Sequence, residues 1–171
     1  CVLGGNYQFK HGTFNNNWVG SNPLAVLLSN YEEQADGSKP TNGLQRANFY
    51  NCIIYGNNNV ELYLDDIDST GVAFNYDFQN CLIKFRDNGT SLQYNHPEYD
   101  FIRNQTNGNI KNQDPKFYDV NANKLNISDD PSGGAFQKGS LSFLVPLDIL
   151  GHPRTSNPPD MGAYQSAAFP E

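Results

Sequence analysis

Three stretches of the chain fall into register when laid under one another: Tyr7 to Phe14, Asn48 to Asn57 and Tyr76 to Phe85. Each carries an aromatic (Phe9, Phe49, Phe78), one spacer, and then His11, Asn51 or Asn80. A small residue follows (Gly12, Cys52, Cys81), then a short pair: Thr13-Phe14, Ile53-Ile54 or Leu82-Ile83. The spacing between copies is unequal. The constant part is therefore two strands meeting at a tight polar corner, with loops of variable length leaving from another side. One such unit buries nothing alone. Stacked, with parallel strands about 4.8 Å apart, the units form a continuous hydrogen-bonded ladder. Each aromatic then lies over its equivalent, and the corner side chains form a column of amides able to bond one another and the backbone.

Composition agrees with this reading. Asn is the most frequent residue, beside 15 Gly, 10 Pro and 13% aromatics. Asn, Gly and Pro disfavour helices and make turns, while Tyr and Phe favour strands. The predicted fold class is all-β, a right-handed parallel β-helix, a solenoid with a loop-rich C-terminal cap. Residues 1–113 are assigned to its coils, truncated at the N-terminus, and residues 114–171 to the last coil and cap. The apolar run Leu24 to Leu28 supplies a further strand to the first coil, the insertions Val19–Leu44 and Glu61–Ala73 read otherwise as polar loops, and Tyr99–Ile102 is a candidate strand. An exposed edge is expected beside residues 2–14. A closed end is expected from residues 136–164, with Phe136, Leu141, Phe143, Leu144 and Val145 covering the last apolar layer.

The net charge of −7, with 11 basic against 18 acidic residues and no basic cluster, leaves no footprint for nucleic acid. No apolar run is long enough for a transmembrane helix. Cys52 and Cys81 occupy equivalent corner positions and are expected buried and reduced, since in-register parallel neighbours seldom aim their sulfurs at each other. Cys1 leads through Val2-Leu3 towards a strand rather than into a flexible polar tether, so it is not read as a lipid anchor.

From Asp114-Pro115-Lys116-Phe117 onward the character changes, through Asp148 to Arg154, and ends in Asp160-Met161-Gly162-Ala163-Tyr164. Over roughly residues 45 to 166 the chain resembles the C-terminal portion of exported bacterial right-handed β-helix repeat proteins of the Bacteroides type. That family carries Asp-Pro-x-Phe, Asp-Ile-x-Gly-x-x-Arg and a terminal Asp-Ile-Gly-Ala-Tyr-Glu. The chain departs from the pattern at Asp130 to Ala135 and at Gln165, where the family has Glu. The resemblance implies an extracellular or cell-surface location, outer-membrane-associated or periplasmic.

Candidate sites are few. Asp66, Asp68, Thr70 and Asp77, with Gly71, have the spacing of a calcium loop, but strands rather than helices flank them, so an acidic turn is the plainer reading and no cofactor is assigned. Asp65, Asp66, Asp68 and Asp77, with Lys84 and Arg86, are the carboxylates and cations that polysaccharide chemistry would draw on, yet they form no motif, and no catalytic residue is assigned. Trp18, Tyr94 and Tyr99 could stack on sugar rings or cover the coil. His11, Asn51, Asn80, Cys52 and Cys81 are read as structural corner residues. Asp148, Arg154 and Asp160 are read as structural too, with Arg–carboxylate pairing fixing the closing loop. The function expected is a non-catalytic surface or secreted module whose partner is a polysaccharide or another surface protein. The alternatives are a fragment of a polysaccharide lyase or glycoside hydrolase with its catalytic coils upstream, and a structural stalk terminus.

Overall fold

The computed structural model describes residues 2–18, 20, 24–68 and 71–169; Cys1 and Thr70 lie outside them. In chain order the strands are β1 (Val2–Leu3), β2 (Gly5–Lys10), β3 (Thr13–Asn16), β4 (Val26–Ser29), β5 (Leu44–Tyr50), β6 (Ile53–Gly56), β7 (Leu62–Asp65), β8 (Phe74–Gln79) and β9 (Leu82–Ile83). A short helix, α1 (Asp100–Arg103), follows, then β10 (Ile110–Lys111), β11 (Phe117–Asp119) and β12 (Lys124–Ile127). The protein is all-β with parallel sheets. Among the described residues no helix is long and apolar enough to cross a membrane.

Each early strand pairs in parallel with the strand three places further along. The sheet orders are β1-β4-β7, β2-β5-β8 and β3-β6-β9-β10. Register places Phe9 on Phe49 and Phe49 on Phe78, Leu28 on Leu64, and Ile54 on Ile83. The stacked rings are 4.7 Å apart at both Phe9–Phe49 and Phe49–Phe78. Between the three sheets these residues form one core with Val26, Leu44, Ala47, Cys52, Leu62, Cys81 and Phe85. β7 lies inside the stretch read from sequence as a loop. Its alternation, with Leu62 and Leu64 inward, spans only four residues and is flanked by acids, which is why it does not stand out.

Corner residues His11, Asn51 and Asn80 all adopt the left-handed backbone conformation, at φ 52°, 53° and 51°. Asn tolerates this region better than most residues because its short amide bonds locally. Cys52 and Cys81 follow the last two corners, both buried and free, their thiols donating to the carbonyls of Tyr50 and Phe49.

The core is closed beyond β7, β8 and β9 by a different segment from the one expected. Tyr99–Ile102 is not a strand: a 3-10 turn over Pro97–Tyr99 runs into α1. Pro97 starts the turn and removes a donor that a strand would need. Phe101 stacks on Phe78 at 5.0 Å, continuing the ring column, and Tyr99 stacks on Phe85 at 4.9 Å. The amide of Leu64 donates to the Tyr99 hydroxyl at 2.8 Å. Side-chain amides finish the strand edges: Asn109 accepts from Cys81 N and donates to Phe78 O, and Asn112 accepts from and donates to the backbone of Phe85.

Residues 136–164 instead lie along the outside of the β3-β6-β9 sheet. Ile53 and Leu82, which point away from the main core, are covered by Ile127, Ala135 and Met161. Phe143 stacks on Tyr50 at 4.1 Å, but Leu141 and Val145 remain exposed at 55% and 36%. The segment is thus a strap down one side of the stack, because Ile53 and Leu82 offer it an apolar stripe that alternation along the strands turns outward. At the opposite end, β1, β2 and β3 are each the outermost strand of their sheet.

Candidate functional site

Where β3 and β6 end, on the far side from the corners, the sheet opens onto the β11–β12 hairpin and leaves a groove. One part, of about 410 Å³, is lined by Asn15, Tyr55, Asn57, Lys84, Asp114 and Phe117, among others. It shares Asn15, Asn17 and Val120 with an adjoining part of about 390 Å³ that runs on to Trp18, Asn121 and Asn123. Backbone register positions these groups: Asn15 pairs with Tyr55 and Asn16 with Gly56. Asn17 Nδ2 donates to Val120 O at 2.9 Å, tying the sheet end to the hairpin, and Asn57 Nδ2 donates to Asn17 O at 3.1 Å. Trp18 stands at the far end with 71% of its surface exposed.

Electrostatically the groove is balanced. Lys84 Nζ sits 4.8 Å from the centre of the Tyr55 ring. Burial pulls the lysine below its ordinary range, Arg86 adds to that, and Glu61 with Asp114 oppose it. Burial raises the Tyr55 phenol, with Asp114 in support and Arg86 against. The lining offers one cation, one anion and a row of neutral amides, with flat rings at intervals. This can hold a polar, uncharged, ring-shaped ligand by amide hydrogen bonds and face stacking.

Of the candidate site residues singled out in the sequence, Trp18 and Lys84 line this groove; the others fall elsewhere. Two of the three corner residues face the strap: Asn51 Nδ2 lies 3.0 Å from His11 Nε2 and donates to Ser140 O, while Asn51 Oδ1 accepts from Ser140 N. The third, Asn80, instead donates its backbone N–H to Asn107 O. Burial first, then the Arg154 charge, lowers the His11 imidazole to about 4. Asp148 accepts from the amides of Leu150, His152 and Gln165. Its burial alone would raise it, but those amides win and hold it below the usual carboxylate range. Asp160 accepts from Gln137 N, Ser166 N and Gln165 Nε2. With a Glu at 165 two carboxylates would meet there. Arg154 does not pair with either acid. Its guanidinium donates to the carbonyls of Gly162 and Tyr164, because the backbone amides of the turns already occupy the carboxylate oxygens.

Of the calcium-loop residues, Asp66 and Asp68 follow β7, whereas Asp77 lies on β8 and accepts from Tyr50 and Gln79 side chains. Burial and the charge of Asp68 raise Asp66. Among the described residues no group of three or more His, Cys, Asp or Glu is placed to hold a metal ion. Asp65 accepts from the Tyr31 hydroxyl. Of the three aromatics, Trp18 and Tyr94 are open to solvent, each at 71%, and Tyr99 is fully buried.

Sequence reasoning missed Glu61, which is 0% exposed. Nothing in its neighbourhood marks it except the Asn57-Asn58-Asn59 run that turns the chain just before it. No protein-family model, no curated protein and no solved structure matches the chain.

Proposed function

We propose that the chain is a right-handed parallel β-helix module, carried outside a bacterial cell, that binds a neutral glycan without turning it over. The solenoid reading is supported by the three-place recurrence of parallel pairing and by the common corner conformation. Its hand is argued from the near-universal right-handedness of parallel crossovers. The exported, surface-associated setting rests on the closing motifs' resemblance to such proteins.

The observation that carries the binding reading is the amide-lined groove with Trp18 exposed at its end. A sugar ring presents apolar C–H faces and equatorial hydroxyls, which suit an indole platform beside Asn side chains. A single Lys84 flanked by Asp114 favours an uncharged chain over a uronate. Binding of neutral glucan, xylan, mannan and galactan hexasaccharides, measured by calorimetry, tests the reading. We expect at least one to bind, and Trp18→Ala to weaken it tenfold or more with Tm unchanged. Reducing-sugar and unsaturated-uronate assays are expected to stay silent. Turnover of a bound oligosaccharide would replace the reading with the enzymatic one, and failure of all four to bind would sink it.

A further inference from the structure

We infer that Glu61 is the positioning residue of this groove, holding the Trp18 platform in place through Asn16. The inference rests on the glycan-binding reading for its purpose, but its geometry stands independently. Glu61 lies just before β7, and its carboxylate takes donors from three separate places in the chain. Asn58 N donates to Oε1 at 2.7 Å, Ala25 N to Oε2 at 3.0 Å, and Asn16 Nδ2 to Oε2 at 3.1 Å. These are the turn after β6, the entry to β4 and the end of β3.

Asn16 is the link to the groove. With Nδ2 committed to Glu61, its Oδ1 faces the other way and accepts from Trp18 N at 3.2 Å. Its own carbonyl accepts from Asn57 N at 2.9 Å, fixing a second lining residue. The approach is close enough to dictate Gly56, where a Cβ would come within 2.2 Å of Glu61 Oε1 and 2.4 Å of Asn16 O. Only an acceptor on both oxygens satisfies this arrangement. A glutamine would turn an amide N–H towards either Asn58 N or Ala25 N, donor against donor. Burial raises the carboxyl, while Asn58, Asn16, Ala25 and Lys84 pull it back.

Trp18 is the single tryptophan, so its fluorescence reports the platform without any ligand. Glu61→Gln is the test variant, read by emission maximum and by acrylamide quenching of the folded protein. The expected result is a shifted emission and at least a twofold change in quenching constant. The affinity for whichever hexasaccharide binds the wild type should fall about tenfold. Tyr99→Phe, which removes a buried hydroxyl at the closed end of the core, should leave both Trp18 signals unchanged. Should Glu61→Gln not fold, Asn16→Ala cuts the same link from the other side and carries the same expectation. Unaltered Trp18 emission and quenching in a folded variant overturn the inference. Should no hexasaccharide bind the wild type while the Trp18 signals shift, the positioning stands and the glycan reading falls.

Discussion

His11 shows how one side chain can set a pH dependence. Its Nε2 receives the Asn51 amide, so the ring must be neutral there, and it is only 5% exposed beneath Arg154. The folded value of about 4 lies below the ordinary 6.5. The unfolded chain therefore takes up a proton between those values and the folded one does not, so stability is lost as pH falls from 6.5 to 4 and is flat above. The size is on the order of 3 kcal/mol. His11→Asn keeps the left-handed corner, to which Asn is suited, and should flatten that part of the profile. Urea melts of both proteins at pH 7 and pH 4 check this: the wild type should lose more stability than the variant. At Asn51 the amide completes a two-way pair with Ser140, as a neighbouring strand would. Asn51→Leu should cost about 2–4 kcal/mol, adding two lost buried hydrogen bonds to a strained positive φ.

At the scale of elements, the ring column Phe9–Phe49–Phe78–Phe101 joins all three repeats to α1. Phe49 lies inside it and is fully buried, so Phe49→Ala should destabilise by about 3–5 kcal/mol. Phe101→Ala, at the half-buried end, should cost less, and denaturant midpoints order the two. This column was legible in the sequence because its aromatics recur at one position of the repeat, each beside its corner residue. The same periodicity cannot announce α1. Phe101 extends the column from outside the repeat, on a helix of a single turn, and Tyr99, at the end of the 3-10 turn before it, covers Phe85 beside the column; together their sequence alternates like a strand. The groove was hidden for a related reason. Glu61 is distant in sequence from Asn16 and Trp18, and reaches them only because the turn after β6 brings it against the end of β3, so no local spacing encodes the link. The strap was misplaced because its apolar residues indicate that something is covered, not which face.

At the scale of the whole molecule, strap and stack are held by different means, and this predicts how the protein comes apart. The stack is knit by three parallel ladders around one apolar core. Among the described residues no strand ladder joins the strap to it; the links are isolated ones such as Gly162 N to Asn51 O and Ala163 N to Thr13 Oγ1, at 2.8 and 2.9 Å, and the Asn51–Ser140 pair, over the small Ile53–Leu82 stripe. It also leaves Ile149 and Leu150 exposed at 68% and 58%, so it recovers less from docking than a core element does. Segments with few buried apolar contacts open at lower free energy than the core. Gly162 is where the strap can be released on purpose. Its φ is +87°, and a Cβ would meet Ile53 Cδ1 at 2.5 Å and Thr13 Oγ1 at 2.7 Å. Gly162→Val combines a β-branched residue in the left-handed region with that overlap, at a cost of about 2 kcal/mol or more. Hydrogen exchange should then speed up across residues 134–165 while β5, β6 and β8 keep their protection. Equal loss of protection in the strands would mean that strap and stack unfold as one unit, and that the strap is part of the core rather than laid upon it.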